Sequence, residues 1–208
     1  MQVDVWSDIL CPWCAVGRRN LEQALADFEG EPIELRWRSF ELDPAAPAMQ
    51  DGDYLQRLAD KYGTDRAQAK QMVDQMTERG RSVGVEMDFD KAKPGNSFDA
   101  HRLLHLAHEH GVQDALKQRL FHAYLAEGAA IGDPETLVPL AVEVGLDEDR
   151  VREVLASDTF GAQVRGEEQL AMQLGIRAVP FFVLDQRVAV QGAQPPEVLL
   201  QALQHAID

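Results

Sequence analysis

The chain reads as an α/β protein with a strand–helix–strand unit at its start, a long helical block in its middle and a helix–strand–strand–helix unit at its end. Three observations carry this reading. Period-two alternation appears in Gln2-Val3-Asp4-Val5-Trp6 and again in Ile33-Glu34-Leu35-Arg36-Trp37, with helical periodicity over Ala15–Phe28 between them. From Tyr54 to Ser157 no convincing strand pattern occurs. The period shortens again in Phe181-Phe182-Val183-Leu184 and in Arg187-Val188-Ala189-Val190.

The first strand and helix meet at Cys11-Pro12-Trp13-Cys14. Cys11 is expected as the N-cap and Pro12 as the first helical residue, where its missing N–H costs nothing. The unpaired backbone N–H groups of Trp13 and Cys14 then point towards the Cys11 sulfur. Together with the helix dipole they favour a thiolate there. Cys14, most of a turn further in, is expected to be shielded and to act second.

Glu29-Gly30-Glu31-Pro32 breaks the helix, and the unit it closes implies two parallel strands. Ser39–Pro47 reads as loop because Pro44 and Pro47 stand so close together. The helical block then divides at its caps. Tyr54–Tyr62 comes first, followed by a helix capped by Thr64 and running to Arg79. Asn96 caps Ser97–His110, and Asp114–Ala126 follows. Asp133-Pro134-Glu135 opens a helix that stops at Gly145. Asp147–Ala156 and Asp158–Leu174 complete the block. Asp185-Gln186 is a two-residue turn signal, and Pro195-Pro196 opens the last helix, to Ile207.

That order fits a thioredoxin-like fold carrying a large all-helical insertion. Residues 1–45 and 158–208 would form the thioredoxin-like part and 46–157 the insertion, with a groove between them beside the cysteines. In such a fold the loop before the third strand faces the active site. A cis Pro180 in that loop would expose the backbone of Val179 to an extended substrate chain.

The totals narrow the function. With 208 residues, 45% of them hydrophobic, the chain can bury a proper core. Its net charge of −15, from 20 basic and 35 acidic residues, argues against nucleic acid or an anionic membrane as partner. No apolar run approaches the length of a membrane span. No basic stretch followed by an apolar one precedes the strand at Gln2, so a cytoplasmic location is the expectation. In that compartment a CxxC pair is catalytic or sensing rather than a permanent cross-link. A structural zinc site needs about four ligands. Cys11 and Cys14 are the only cysteines and no histidine lies near them in sequence, so redox chemistry is favoured and no metal is expected.

Other residues are weaker site candidates. His101, His105 and His108 share one helical face, a spacing zinc can use. No acid or cysteine is placed to complete a site, so a polar helix face is expected, His101 included. Asn96 is a cap first and a groove residue second. Asp4 and Glu34 are candidate acceptors for the Cys14 proton but are expected as surface carboxylates. Trp6, Trp13 and Trp37 read as core and groove wall, and Arg18 and Arg19 as solvated charge.

Several segments extend the pattern from end to end: WSDILCPWC at Trp6–Cys14, FELDP at Phe40–Pro44, NSFDAHRLLHLA at Asn96–Ala107, LFHAYLAEGAAIGD at Leu120–Asp133, GIRAVPFFV at Gly175–Val183 and VQGAQP at Val190–Pro195. With these the chain resembles the FrnE-like members of the DsbA family of thiol–disulfide oxidoreductases. The resemblance implies a thioredoxin fold with an all-helical insertion, catalytic Cys11 and Cys14, and a cis Pro180, and it makes His101 a candidate for substrate contact, because the matching segment borders the active-site groove. Ala178 departs from it, since relatives often carry glycine there; the methyl is expected to narrow the groove without removing the chemistry. Some relatives have a further cysteine pair near the C-terminus. This chain does not, so a second redox couple is not expected.

In the implied mechanism Cys11 forms a mixed disulfide with substrate and Cys14 resolves it, while Pro12 and Trp13 tune the potential. The expected compartment favours reductase or isomerase over oxidant. Disulfide- or thiol-containing proteins or small molecules are the expected partners. No cofactor is expected beyond the redox-active disulfide, with glutathione as a candidate co-substrate. Two rivals stand beside this reading. Kappa-class glutathione transferases and 2-hydroxychromene-2-carboxylate isomerases share the plan but tend to have serine where Cys11 stands. A non-enzymatic redox sensor or binding module would use the pair only as a switch.

Overall fold

The computed structural model describes residues 1–50 and 53–207. Among the described residues four strands form one sheet in the order β2-β1-β3-β4. Strand β1 (Gln2–Ser7) runs parallel to β2 (Glu34–Ser39), with Val5 opposite Trp37. Strand β3 (Phe181–Leu184) lies antiparallel on the other side of β1, with Phe182 opposite Val5, and pairs in turn with β4 (Val188–Gln191). The strand that leads into the cysteines is therefore interior to the sheet, held by partners from both ends of the chain. The β3–β4 connection is one residue longer than the two-residue turn expected: Asp185, Gln186 and Arg187 separate the strands, and Leu184 pairs with Val188. Within it Asp185 and Gln186 both take positive φ, 50° and 56°, and Arg187 N–H donates to Leu184 O at 3.0 Å.

Period-two alternation sends β1 side chains to opposite faces. Val3 and Val5 join Phe182 and Leu184, and this face is covered by Leu21 and Ala24 of α1 (Pro12–Ala26) and by Leu199 and Leu203 of α9 (Pro196–Ile207). On the opposite face Trp6 packs with Ala171 and Ile176.

Between β2 and β3 come α2 (Tyr54–Tyr62), α3 (Arg66–Ser82), α4 (Phe98–Glu109), α5 (Gln113–His122), α6 (Pro134–Glu143), α7 (Glu148–Leu155) and α8 (Gly161–Gln173). Their leucines, Leu103, Leu106, Leu116, Leu120 and Leu137 among them, form a second core. It runs without a break into Ile9, Cys14 and Val16. Helix α1 thus serves both cores, the helical one near the cysteines and the sheet further along.

Several expected boundaries move for identifiable reasons. Asp65 rather than Thr64 caps α3, its Oδ1 accepting from Gln68 N–H at 2.8 Å. Asn96 stands one place before the N-cap Ser97, and its Oδ1 accepts from Phe98 N–H at 2.8 Å. The expected Asp114–Ala126 helix is α5 continued by a π-helical turn, Ala123–Glu127. Helix α8 starts at Gly161, not Asp158, because the buried Phe160 turns the backbone to a positive φ of 64°.

Candidate active site

Cys11 caps α1 with an extended backbone, φ −95° and ψ 107°, and Pro12 opens the helix. Its amide donates to Asp8 O at 3.2 Å, and its own carbonyl accepts from Cys14 N–H at 3.0 Å. The side chain makes no capping bond, so the sulfur is left for chemistry. It faces the loop before β3 instead: Cys11 Sγ donates to Val179 O at 3.7 Å. The Val179–Pro180 peptide bond is cis. Both cysteines are free thiols. Cys11 is 5% exposed and Cys14 fully buried, while Trp13 stands 41% exposed beside them.

Burial pushes the Cys14 thiol well above its ordinary range, and the neighbouring Cys11 sulfur pushes the same way. Lys117 and the Ser7 hydroxyl pull against them. The Ser7 Oγ lies close enough to Cys14 to favour its anion, yet it is buried without a hydrogen bond of good geometry. Lys117 was not among the residues expected here. Its side chain is fully buried and Nζ donates to Ser7 O at 3.3 Å. Burial lowers its pKa to about 8, against the pull of Cys14, Asp8, Cys11 and Asp114. A lysine in a helix ordinarily reads as solvated. The available signal was its place one residue after Leu116 and three and four before Leu120 and Phe121, on the apolar side of α5.

The expected polar surface on α4 is not found at His101 and His105, which are buried because that face turns to β2 and to the loop after β1. The acids thought to be missing come from elsewhere in the sequence. Asp8 Oδ1 stands 3.7 Å from His101 Nε2. His105 Nε2 lies 3.1 Å from Ser39 Oγ and 3.3 Å from Glu167 Oε2. Burial, only partly offset by Asp8, lowers the His101 pKa and favours the neutral ring. Burial also acts to raise the Asp8 carboxyl, but His101 and the Leu42 N–H at 2.7 Å outweigh it and the net shift is downward. Among the described residues no group of three or more histidine, cysteine or acidic side chains is arranged to hold a metal.

Asp4 also departs from expectation. It is buried rather than on the surface and is engaged by Arg38 Nε at 2.6 Å; Glu34 is exposed, as expected. Arg18 is not merely solvated but pairs with Asp114 at 2.7 Å, and Arg19 Nε donates to Val83 O at 3.1 Å. Trp6 and Trp37 are buried, their indole N–H groups donating to Glu167 O at 3.1 Å and to Asp114 Oδ1 at 2.9 Å. Asn96 ties down the loop after β2, its Nδ2 donating to Ala46 O at 3.3 Å. A cavity of about 490 Å³ adjoins the loop before Cys11, lined by Leu10, Leu42, Tyr54, Arg57, Lys61 and Tyr124 among others.

Comparison with known proteins agrees with this arrangement. A family model of the DSBA-like thioredoxin domain matches residues 2–204. The uncharacterized protein YwbO of Bacillus subtilis is 30% identical over 205 residues, 98% of this chain and 96% of that protein. The crystal structure of the probable DsbA oxidoreductase SCO1869 from Streptomyces coelicolor superposes with a TM-score of 0.94 at 42% identity, covering 100% of this chain and 90% of that one. A 2-hydroxychromene-2-carboxylate isomerase superposes with a TM-score of 0.71 at 16% identity, covering 100% and 96%, which shows a shared fold. With its family model matched almost from end to end, a strand–CPWC–helix junction and a sheet of the same plan, this chain belongs to the DsbA-like thioredoxin domain family.

Proposed function

We propose that the protein is a thiol–disulfide oxidoreductase of the FrnE-like branch, cycling Cys11 and Cys14 between dithiol and disulfide. One observation carries the reading: the Cys11 sulfur sits at the amino end of α1, 3.7 Å from Val179 O, with Cys14 sealed behind it. Cys11 thiolate attacks a substrate disulfide. A Cys11–substrate bond forms, the substrate S–S bond breaks, and the departing sulfur takes a proton. Cys14 then attacks Cys11 Sγ, closes the Cys11–Cys14 bond and releases the second substrate thiol. The substrate gains two electrons and the pair loses two; oxidation of a dithiol runs the same steps backwards.

In this reading the Val179 backbone, set by Pro180, receives an extended substrate segment, with Pro12 and Trp13 shaping the approach. His101, which is buried, and Asn96, which is tied to Ala46 O, are the weaker candidates for substrate contact. The direction we favour is reduction or isomerisation, as suits a cytoplasmic CxxC protein acting on thiol- or disulfide-containing proteins or small molecules. No helix among the described residues is long and apolar enough to cross a membrane. Glutathione fits as a co-substrate rather than as a resident group. A glutathione-dependent isomerase or transferase shares the fold, but a second thiol behind the first is what dithiol exchange needs.

The test is insulin reduction and turnover of glutathione disulfide, with Cys11→Ser as control, together with equilibration against glutathione buffers. Turnover by the wild type and none by the variant supports the reading. Tight glutathione binding without dithiol turnover favours the transferase or isomerase. A disulfide that forms reversibly while turnover stays at background favours a sensor. A potential near about −270 mV assigns a reductase, and one near about −120 mV an oxidant.

A further inference from the structure

Helix α5 carries Lys117 into the core beneath the cysteines. Its ammonium lies over the rings of Phe121 and Trp37, 5.1 and 5.5 Å from their centroids, and its hydrogen bond is to the Ser7 carbonyl at 3.3 Å. Desolvating a lysine costs several kcal/mol unless a counter-charge offsets it. The carboxylates around it are engaged elsewhere. Asp114 takes two bonds from Arg18 and one from the Trp37 indole. Asp8 accepts from the amides of Leu10 and Leu42. Ser7 connects the lysine to a different group. Its carbonyl takes the Lys117 bond, and its otherwise unsatisfied hydroxyl stands beside the Cys14 sulfur.

We propose that Lys117, a positioning residue acting with Ser7, takes up the proton that Cys14 must lose before it can resolve a mixed disulfide, and then serves as the buried counter-charge of the thiolate. The proposal rests on the dithiol-exchange reading and adds a proton route to it. The neutral amine and the thiol become ammonium and thiolate. The thiolate attacks Cys11 Sγ, the Cys11–Cys14 bond forms, and the bond from Cys11 to the substrate sulfur breaks. The departing substrate thiolate takes its proton from solvent. With no anion left behind it, the ammonium releases its own.

The surroundings of Lys117 support this. It faces Cys14 and Cys11 from α1, Asp8 from the loop after β1 and Asp114 on its own helix, while the nearby His101 of α4 is favoured in its neutral form. Cys14 and Lys117 each favour the other's charged form. Once the pair has lost one proton, amine–thiol and ammonium–thiolate are two forms of one protonation state, and the apparent pKa belongs to both groups together. Resolution should accelerate as pH rises through about 8, where Lys117 titrates. Without the lysine, Cys14 has to ionise alone, and the rise should move to more alkaline pH.

The experiment mixes reduced full-length protein with an aromatic disulfide whose released thiol is coloured. The first burst of colour reports attack by Cys11 and the second reports resolution by Cys14. In Lys117→Met the second phase should slow about tenfold for each pH unit its midpoint moves, with the first phase kept within about twofold. Ser7→Ala should slow the same phase by less. An independent measurement needs no variant: the Lys117 Nζ titration, followed by NMR in the wild type, should have a lower midpoint in the oxidised protein, where no thiolate can form. An unchanged second phase and pH profile in Lys117→Met, or one Lys117 midpoint in both redox states, overturns the proposal alone. A wild type with no second phase overturns the dithiol reading and this proposal with it.

Discussion

Gly17 and Pro180 meet so closely that a Cβ built on Gly17 would stand 2.8 Å from Pro180 Cγ and 3.3 Å from Phe182 Cζ. The site loop thus rests on a bare stretch of α1. Gly17→Ala in an exposed helix would gain about 0.5–1 kcal/mol. Here the neighbour is a stiff ring, and overpacking of this kind costs about 1–3 kcal/mol. The expected result is a net loss of stability in urea and slower insulin reduction, because the Val179 carbonyl is displaced from Cys11. A more stable variant of unchanged activity would show that the contact yields freely.

Glu167 of α8 joins the sheet edge to α4. It accepts from Arg38 at 2.8 Å and from Ser39 N–H at 2.7 Å, beside His105. Burial acts to raise its carboxyl, but His105, Arg38 and the Ser39 amide outweigh it and bring the pKa down to about 2. A folded-state pKa below the unfolded one stabilises the protein above the unfolded value and loses that contribution as pH falls. The loss should begin below about pH 4.5 and be complete near about 2, worth on the order of 3 kcal/mol. Glu167→Gln should be less stable than the wild type at neutral pH and should flatten that acid limb. Urea unfolding at stepped pH checks both, and a parallel limb in the variant would remove Glu167 as its source.

Glu41 has the opposite sign. Its Oε1 is buried without a hydrogen bond, its Oε2 meets Arg165, and Glu168 lies beside it. Burial, with Glu168 adding and Arg165 opposing, raises its pKa to about 7. A raised carboxyl pKa favours the folded state below the unfolded value, and that contribution is lost as pH rises through the folded one. Glu41→Gln imitates the protonated form. It should match the wild type below about pH 4.5 and exceed it above about 7, by about 1–2 kcal/mol. Equal stability across the range would mean that Arg165 fully compensates the charge.

The division of labour between the thiols is open to direct trapping. Cys14→Ser should accumulate Cys11-linked mixed disulfides with disulfide substrates, released by dithiothreitol and visible by intact mass. Cys11→Ser should form none, because Cys14 is fully buried. Adducts through Cys14 in the second variant would reverse the assigned roles.

The parts readable from sequence were those with local causes. Asp133-Pro134 marks a helix start because Asp133 Oδ1 accepts from Glu135 N–H at 3.2 Å and proline suits the first position. Asp185-Gln186 marks a turn because the positive φ of both residues is a local property, although the connection takes in Arg187 as well. Cys11-Pro12-Trp13-Cys14 announced its own junction for the same reason. What stayed hidden was set by partners distant in the chain. Asp4 reads as a surface residue until Arg38 is placed beside it, and His101 until Asp8 is. Lys117 reads as a solvated charge until Ser7, 110 residues away, is placed against its ammonium. The π-helical turn after α5 has no signature in composition at all.

The sheet order has a consequence for biosynthesis. Strand β3 must slot between β1 and β4 before Val179 can meet Cys11, and 168 residues separate those two. At about 5–20 residues per second, a ribosome takes on the order of 10–30 seconds to cover that distance. Throughout that interval both sulfurs ride on a nascent chain with no completed groove around them. A protein assembled this way depends on its translation environment to keep the pair unspent until the last strands emerge.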